Sequence, residues 1–87
     1  MKLSASQKEL LTTLAQGHTI KSHRFLDGRK LFRLHGPGGP LHELAPDLVT
    51  SLYDSGLLAT NMKFPAATFF LSDAGATAAA ALLDESA

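Results

Sequence analysis

Residues 56–75, reading GLLATNMKFPAATFFLSDAG, set two short apolar runs around a polar, Pro-containing turn and follow them at once with a helix-start signal. A stretch built this way is a β-hairpin clamped between two helices. The first run, Leu57 to Ala59, follows a helix that stops at Gly56. The second, Thr68 to Leu71, carries the β-branched and aromatic residues that suit a pleated, half-buried surface. Between them lies the tip, Asn61 to Ala66, with Met62, Lys63, Phe64 and Pro65 at its centre.

The whole chain is 87 residues long, which allows one small domain, residues 1–87, able to bury roughly 60–65% of its unfolded surface. Charged residues make up 18%, below the roughly 25% usual for soluble domains, so part of the surface is free to serve as a contact. There is no Cys, which excludes disulfides and thiolate metal sites. No apolar run approaches the ~18 residues of a membrane span, and residues 1–16 read as an amphipathic helix rather than a signal peptide. The expected compartment is the cytoplasm.

Ser4 opens a Ser-x-x-Gln capping pattern with Gln7, and Ser6 offers an overlapping Ser-x-x-Glu pattern with Glu9. Leu10, Leu11, Leu14 and Ala15 then recur at helical spacing, and Gly17 supplies the left-handed residue that ends the helix. The first helix is expected over about Ala5 to Gln16. From Thr19 the pattern becomes a hairpin, Ile20 to Leu26 and Leu31 to His35, around Asp27-Gly28. A two-residue loop would pair Phe25 with Lys30 and mix charged and apolar groups on both faces. A four-residue loop, Asp27 to Lys30, pairs Phe25 with Phe32 and Arg24 with Arg33. It sorts His23, Phe25, Phe32 and Leu34 to one face, and Ser22, Arg24, Arg33 and His35 to the other. The second register is the expectation, with an anion between Arg24 and Arg33 to offset their repulsion.

Gly36-Pro37-Gly38-Gly39-Pro40 has almost no side chains to pack and reads as a loop. Pro46 and Asp47 start a second helix, and Leu48, Val49, Leu52 and Tyr53 form its buried stripe up to Gly56. After the second hairpin, Ser72 or Asp73 caps an alanine-rich helix from Gly75 to about Leu83, and residues 84–87 form a frayed tail. The order is α-β-β-α-β-β-α. That is an α+β winged-helix domain in which a β-hairpin replaces the usual second helix, Pro46 to Ser55 stands where the recognition helix stands, and the second hairpin is the wing.

The N-terminal run MKLSASQKELLTTLAQGHTI resembles the YjhX-like family of small bacterial winged-helix proteins through Met1, Leu3, Ser4, Leu11, Leu14, Ala15, Gly17 and Ile20. The resemblance continues through a basic hairpin, an apolar helix and a wing ending near Ser72 and Gly75. It implies a toxin-like or DNA-binding-like protein and carries no catalytic motif. The chain departs from the family in its second helix, which looks basic there and here exposes Asp47, Thr50, Ser51 and Asp54.

The net charge is zero, but residues 18–35 hold Lys21, Arg24, Arg29, Lys30 and Arg33 against Asp27 alone. Residues 36–87 hold Glu43, Asp47, Asp54, Asp73, Asp84 and Glu85 against Lys63 alone. Such segregation makes the surface dipolar. The basic hairpin is therefore the candidate nucleic-acid contact. Its cations can hold phosphates, which supply affinity without sequence information. Asp47 and Asp54 would repel phosphates on both sides of a groove, so base readout by the second helix is not expected. The alternative is a solvated face that only keeps the protein soluble.

A protein partner is the second candidate. Met62, Lys63 and Phe64 at the wing tip, with Asp47 and Asp54 on the helix, resemble a protein-binding surface more than a phosphate-contacting wing. A phage or mobile-element inhibitor of a host machine, anti-CRISPR-like in mode, would use them. Against this, Phe64 can fold back into the core. His18, His23, His35 and His42 lack metal-ligand spacing, no nucleophile–base order stands out, and the Gly-Pro stretch precedes no Lys-Ser/Thr pair. The expectation is no metal, no cofactor and no enzymatic activity. The small side chains of Ala76 to Ala81 permit homodimerisation through the last helix, or docking of that helix on its own domain.

Overall fold

The amide of Gln7 donates to the Ser4 hydroxyl at 3.1 Å while the Ser4 amide donates to the Gln7 side chain at 2.8 Å, so this capping box starts α1 (Ala5–Ala15). The Ser6/Glu9 alternative is not the one used. The computed structural model describes residues 3–61 and 66–86, apart from the side chain of Ser86. After α1 come β1 (Thr19–Arg24), β2 (Lys30–Gly36), β3 (Gly39–Leu44), α2 (Pro46–Asp54), β4 (Leu58–Thr60), β5 (Ala66–Leu71) and α3 (Asp73–Ser86). Among the described residues this is a small α+β arrangement of three helices and one five-stranded antiparallel sheet in the order β3-β2-β1-β5-β4.

The expected order lacked β3. Gly36 to Pro40 is not a loop: Pro37 and Gly38 form a two-residue turn, Gly36 pairs with Gly39, and His35 pairs with Pro40. A shortage of side chains is no bar here, because strand pairing is made by the backbone. Pro40 lacks the donor a central strand needs, but β3 is an edge strand, where that loss is tolerated. A register shift opposite Arg33–His35 then brings Leu44 across from Phe32, and both are buried.

The register of the first hairpin also differs. Gly28 donates to the Phe25 carbonyl at 3.0 Å, Phe25 donates to the Arg29 carbonyl at 2.9 Å, and Gly28 has φ 91°. This is a three-residue loop closed by a left-handed glycine, neither the two- nor the four-residue loop. Arg24 consequently faces Lys30 rather than Arg33, and Phe32 faces Ser22 rather than Phe25. His23 and Phe25 move to the face opposite Phe32 and Leu34, where Arg33 and His35 were expected, and Ser22 and Arg24 move to the face of Phe32. Leu26 is at the loop apex and fully exposed instead of ending a strand.

All three helices lie on one side of the sheet. Leu10, Leu11 and Leu14 of α1, Val49 and Leu52 of α2 and Ala79 of α3 form one core with Ile20, Phe32, Leu34, Leu44 and Leu58. Ala15, expected in the first stripe, is exposed, and Tyr53 keeps 40% of its surface while its ring packs edge-on to Phe69. Gly17 and Gly56 end α1 and α2 with left-handed backbone, as expected. Ser72 caps α3, accepting from the Gly75 amide at 3.1 Å. The helix begins at Asp73 and continues through Ser86, so residues 84–86 are helical rather than a frayed tail.

Candidate nucleic-acid interface

Side chains alternate across a strand, so the register decides which cations share a surface. With Ile20, Phe32 and Leu34 turned to the helices, the opposite face of the β1–β2 hairpin carries Thr19, Lys21, His23 and Phe25 from one arm, and Arg29, Leu31, Arg33 and His35 from the other. Among the described residues no helix covers this face. Lys21 and Arg33 are direct cross-strand partners, both exposed. Lys21 also donates to the Thr68 hydroxyl on β5 at 2.8 Å, and Arg33 lies opposite Glu43 on β3.

Arg29 belongs to the same face at its outer end. Its Nε donates to the Asp27 carboxylate at 2.7 Å, and its guanidinium stands 5.1 Å from the centre of the Phe25 ring. Phe25 in turn meets His23 edge-on, with ring centres 4.7 Å apart. Arg24 and Lys30 face each other on the other side of the hairpin, at its exposed end. The five basic residues expected to act together are therefore divided: Lys21, Arg29 and Arg33 on the open face, Arg24 and Lys30 behind it. Arg24 and Arg33 do not form the anion-bridged pair expected.

The candidate protein-contact residues are only partly described. Met62, Lys63 and Phe64 lie outside the described residues. Asp47 and Asp54 are exposed, seven positions and so about two turns apart on α2. Asp54 borders an open groove of about 590 Å³ with Tyr53, Leu58, Ala59 and Thr60. His23 and His35 share the open face, contrary to the expected division between two faces. His42 lines a smaller groove of about 180 Å³ between α1, α2 and the sheet. On α3, Ala79 is buried where the helix packs along α1, and Ala76, Thr77, Ala80 and Ala81 remain exposed.

Four rings of the open face were missed as site residues: His23, Phe25, His35 and, on β5, Phe70, which keeps 41% of its surface. Spacing alone joins two of them to a cation, since Lys21, His23 and Phe25 are two residues apart and must share a face in any register. Phe70 required the β1–β5 pairing, in which Ile20 faces Phe69 and Lys21 faces Thr68. Among the described residues no helix is long and apolar enough to cross a membrane, and no three His, Cys, Asp or Glu side chains gather as a metal site. Comparison with protein-family models, curated proteins and solved structures returns no match to this chain.

Proposed function

We propose that this chain is a non-enzymatic, nucleic-acid-associated protein, a regulator or toxin-like factor, that holds phosphates through its first hairpin. The observation that carries this reading is the placement of Lys21 beside Arg33 in the middle of an uncovered sheet face, with Arg29 at its end. Two like charges at paired positions cost stability, and Glu43 across from Arg33 offsets only part of the positive charge of Lys21, Arg29 and Arg33 on this face. A phosphate backbone complements the remainder. A winged-helix reading accompanies it, supported by the succession of α1, α2, the β4–β5 hairpin and α3 and by the YjhX-like resemblance of residues 1–20.

The test is binding to a mixed-sequence nucleic-acid probe at ~50 and ~200 mM salt, comparing the wild type with a Lys21→Ala/Arg33→Ala double variant. Loss of two phosphate contacts lowers the salt slope by about 1.4 on a single strand and about 1.8 on a duplex. Absence of binding at the lower salt rejects the reading.

The second reading is a protein-binding module. It is favoured by exposed apolar surface at the hairpin apex, where Leu26 is fully exposed and Phe25 keeps 38%. Leu26→Ser tests it: if the apex is the contact, the variant captures fewer partners from host lysate than wild type while its nucleic-acid affinity is unchanged.

A further inference from the structure

The open face has an order that a generic phosphate-binding surface does not need. Along the strands it divides into three rows, each two residues and about 6.8 Å from the next. The outer row on β1 and β2 is His23 with Leu31, extended by Phe25. The middle row is Lys21 with Arg33. The inner row carries His35 on β2 and Phe70 on β5. Rings thus flank cations on both sides. Ala59, small enough to leave the ring open, faces Phe70 across β4. On the strands of this face Glu43, at the edge, is the one acid among the described residues.

Breadth restricts what can lie here. Five strands about 4.8 Å apart span about 19 Å between the edge strands, wider than the ~12 Å major groove, which admits a helix or a two-stranded ribbon. β1 is paired on both sides from Ile20 to His23, so no free ribbon containing Lys21 and Arg33 can enter a duplex. A single strand has no such constraint, and every base has a face that stacks on an aromatic ring.

Resting on the nucleic-acid reading above, we propose that the uncovered sheet face takes a single-stranded nucleic acid laid along the strands. Bases stack on Phe70 and on the His23–Phe25 pair, and the phosphates between them are held by Lys21 and Arg33. α2, with Asp47 and Asp54 exposed, takes no part.

Fluorescence anisotropy with labelled single-stranded DNA and single-stranded RNA of about 12 nucleotides, and with the matching DNA duplex, tests the proposal. At least one single strand binds more tightly than the duplex by about tenfold, and the two single-strand arms identify the sugar preferred. Phe70→Ala weakens single-strand binding about fivefold or more with the salt slope unchanged, and His23→Ala acts in the same direction. Lys21→Ala instead lowers the slope by about 0.7. Thermal melts of the variants confirm folding, and His23, exposed on the strand, provides the second reading should Phe70→Ala unfold. Equal or tighter binding of the duplex, or unchanged affinity in folded ring variants, overturns the proposal and leaves nucleic-acid association standing. Failure of all three probes to bind at ~50 mM salt overturns both.

Discussion

The hydroxyl of Ser72 donates to the carbonyl of Gly56 at 2.6 Å while accepting from the Gly75 amide at 3.1 Å. One side chain thereby closes the end of α2 and caps the start of α3. The backbone joins in, since the Ser72 amide donates to the Leu57 carbonyl at 3.2 Å. Ser72→Ala leaves an α3 amide without its cap and the Gly56 carbonyl without this donor. The variant is expected to lose about 1–2 kcal/mol, read from the urea midpoint with an unchanged slope.

Gly75 presents a conflict between propensity and packing. In an exposed helix, alanine is better than glycine by about 1 kcal/mol. Here a Cβ on Gly75 would overlap the Leu57 carbonyl oxygen and stand 2.9 Å from its carbon, and that carbonyl is backbone held by Ser72. Gly75→Ala is therefore destabilising by about 1–3 kcal/mol despite the better helix former. A melting temperature equal to or above that of wild type would remove this account of the α3–β4 junction. Ser72 and Gly75 are neighbours, so their effects are not additive.

Gly28 sets the hairpin register through its left-handed backbone. Gly28→Ala costs about 1–2 kcal/mol if the loop is kept. Chemical shifts and exchange rates of the Phe25 and Arg29 amides report the change, and single-strand affinity falls with it because Phe25 loses its position over the open face.

Lys21 is the cross-strand partner of Arg33, and its removal separates stability from binding. Lys21→Thr removes one of two like charges at paired positions, introduces a better strand former and gives up an exposed hydrogen bond to Thr68. Its stability is expected to equal wild type or exceed it by up to about 1 kcal/mol, while nucleic-acid affinity drops. Added salt should raise the wild-type melting temperature more than that of the variant, because screening acts on the repulsion that the substitution has removed.

Much of the chain was legible in local chemistry. The Ser4/Gln7 box, Gly17, Pro46 and Gly56 each act within a few residues and start or stop a helix where the sequence places it, and Ser72 is one of the two caps the sequence offers, although α3 begins at Asp73 rather than Gly75. The leucines and valine of the apolar stripes of α1 and α2 likewise announce the buried faces, whereas Ala15 and Tyr53 in the same stripes stay exposed. The basic character of the first hairpin was visible too, but the grouping of its cations was not. Grouping depends on side-chain parity across two strands, and one residue more or less in the loop reverses it. Arg24 and Arg33 were expected on one face. The three-residue turn at Leu26–Gly28 places them on opposite faces.

Propensity, capping and charge were enough to specify a single small α+β chain with three helices, a basic hairpin and a second hairpin between α2 and α3. They could not show that Gly39–Leu44 is a strand, that β1 and β5 join the hairpins into one sheet, or that Phe70 shares the open face with Lys21 and Arg33; those relations exist only in the assembled fold. The physical reason is that strand pairing is made by backbone groups common to every residue. Side chains choose among registers only after distant segments have met.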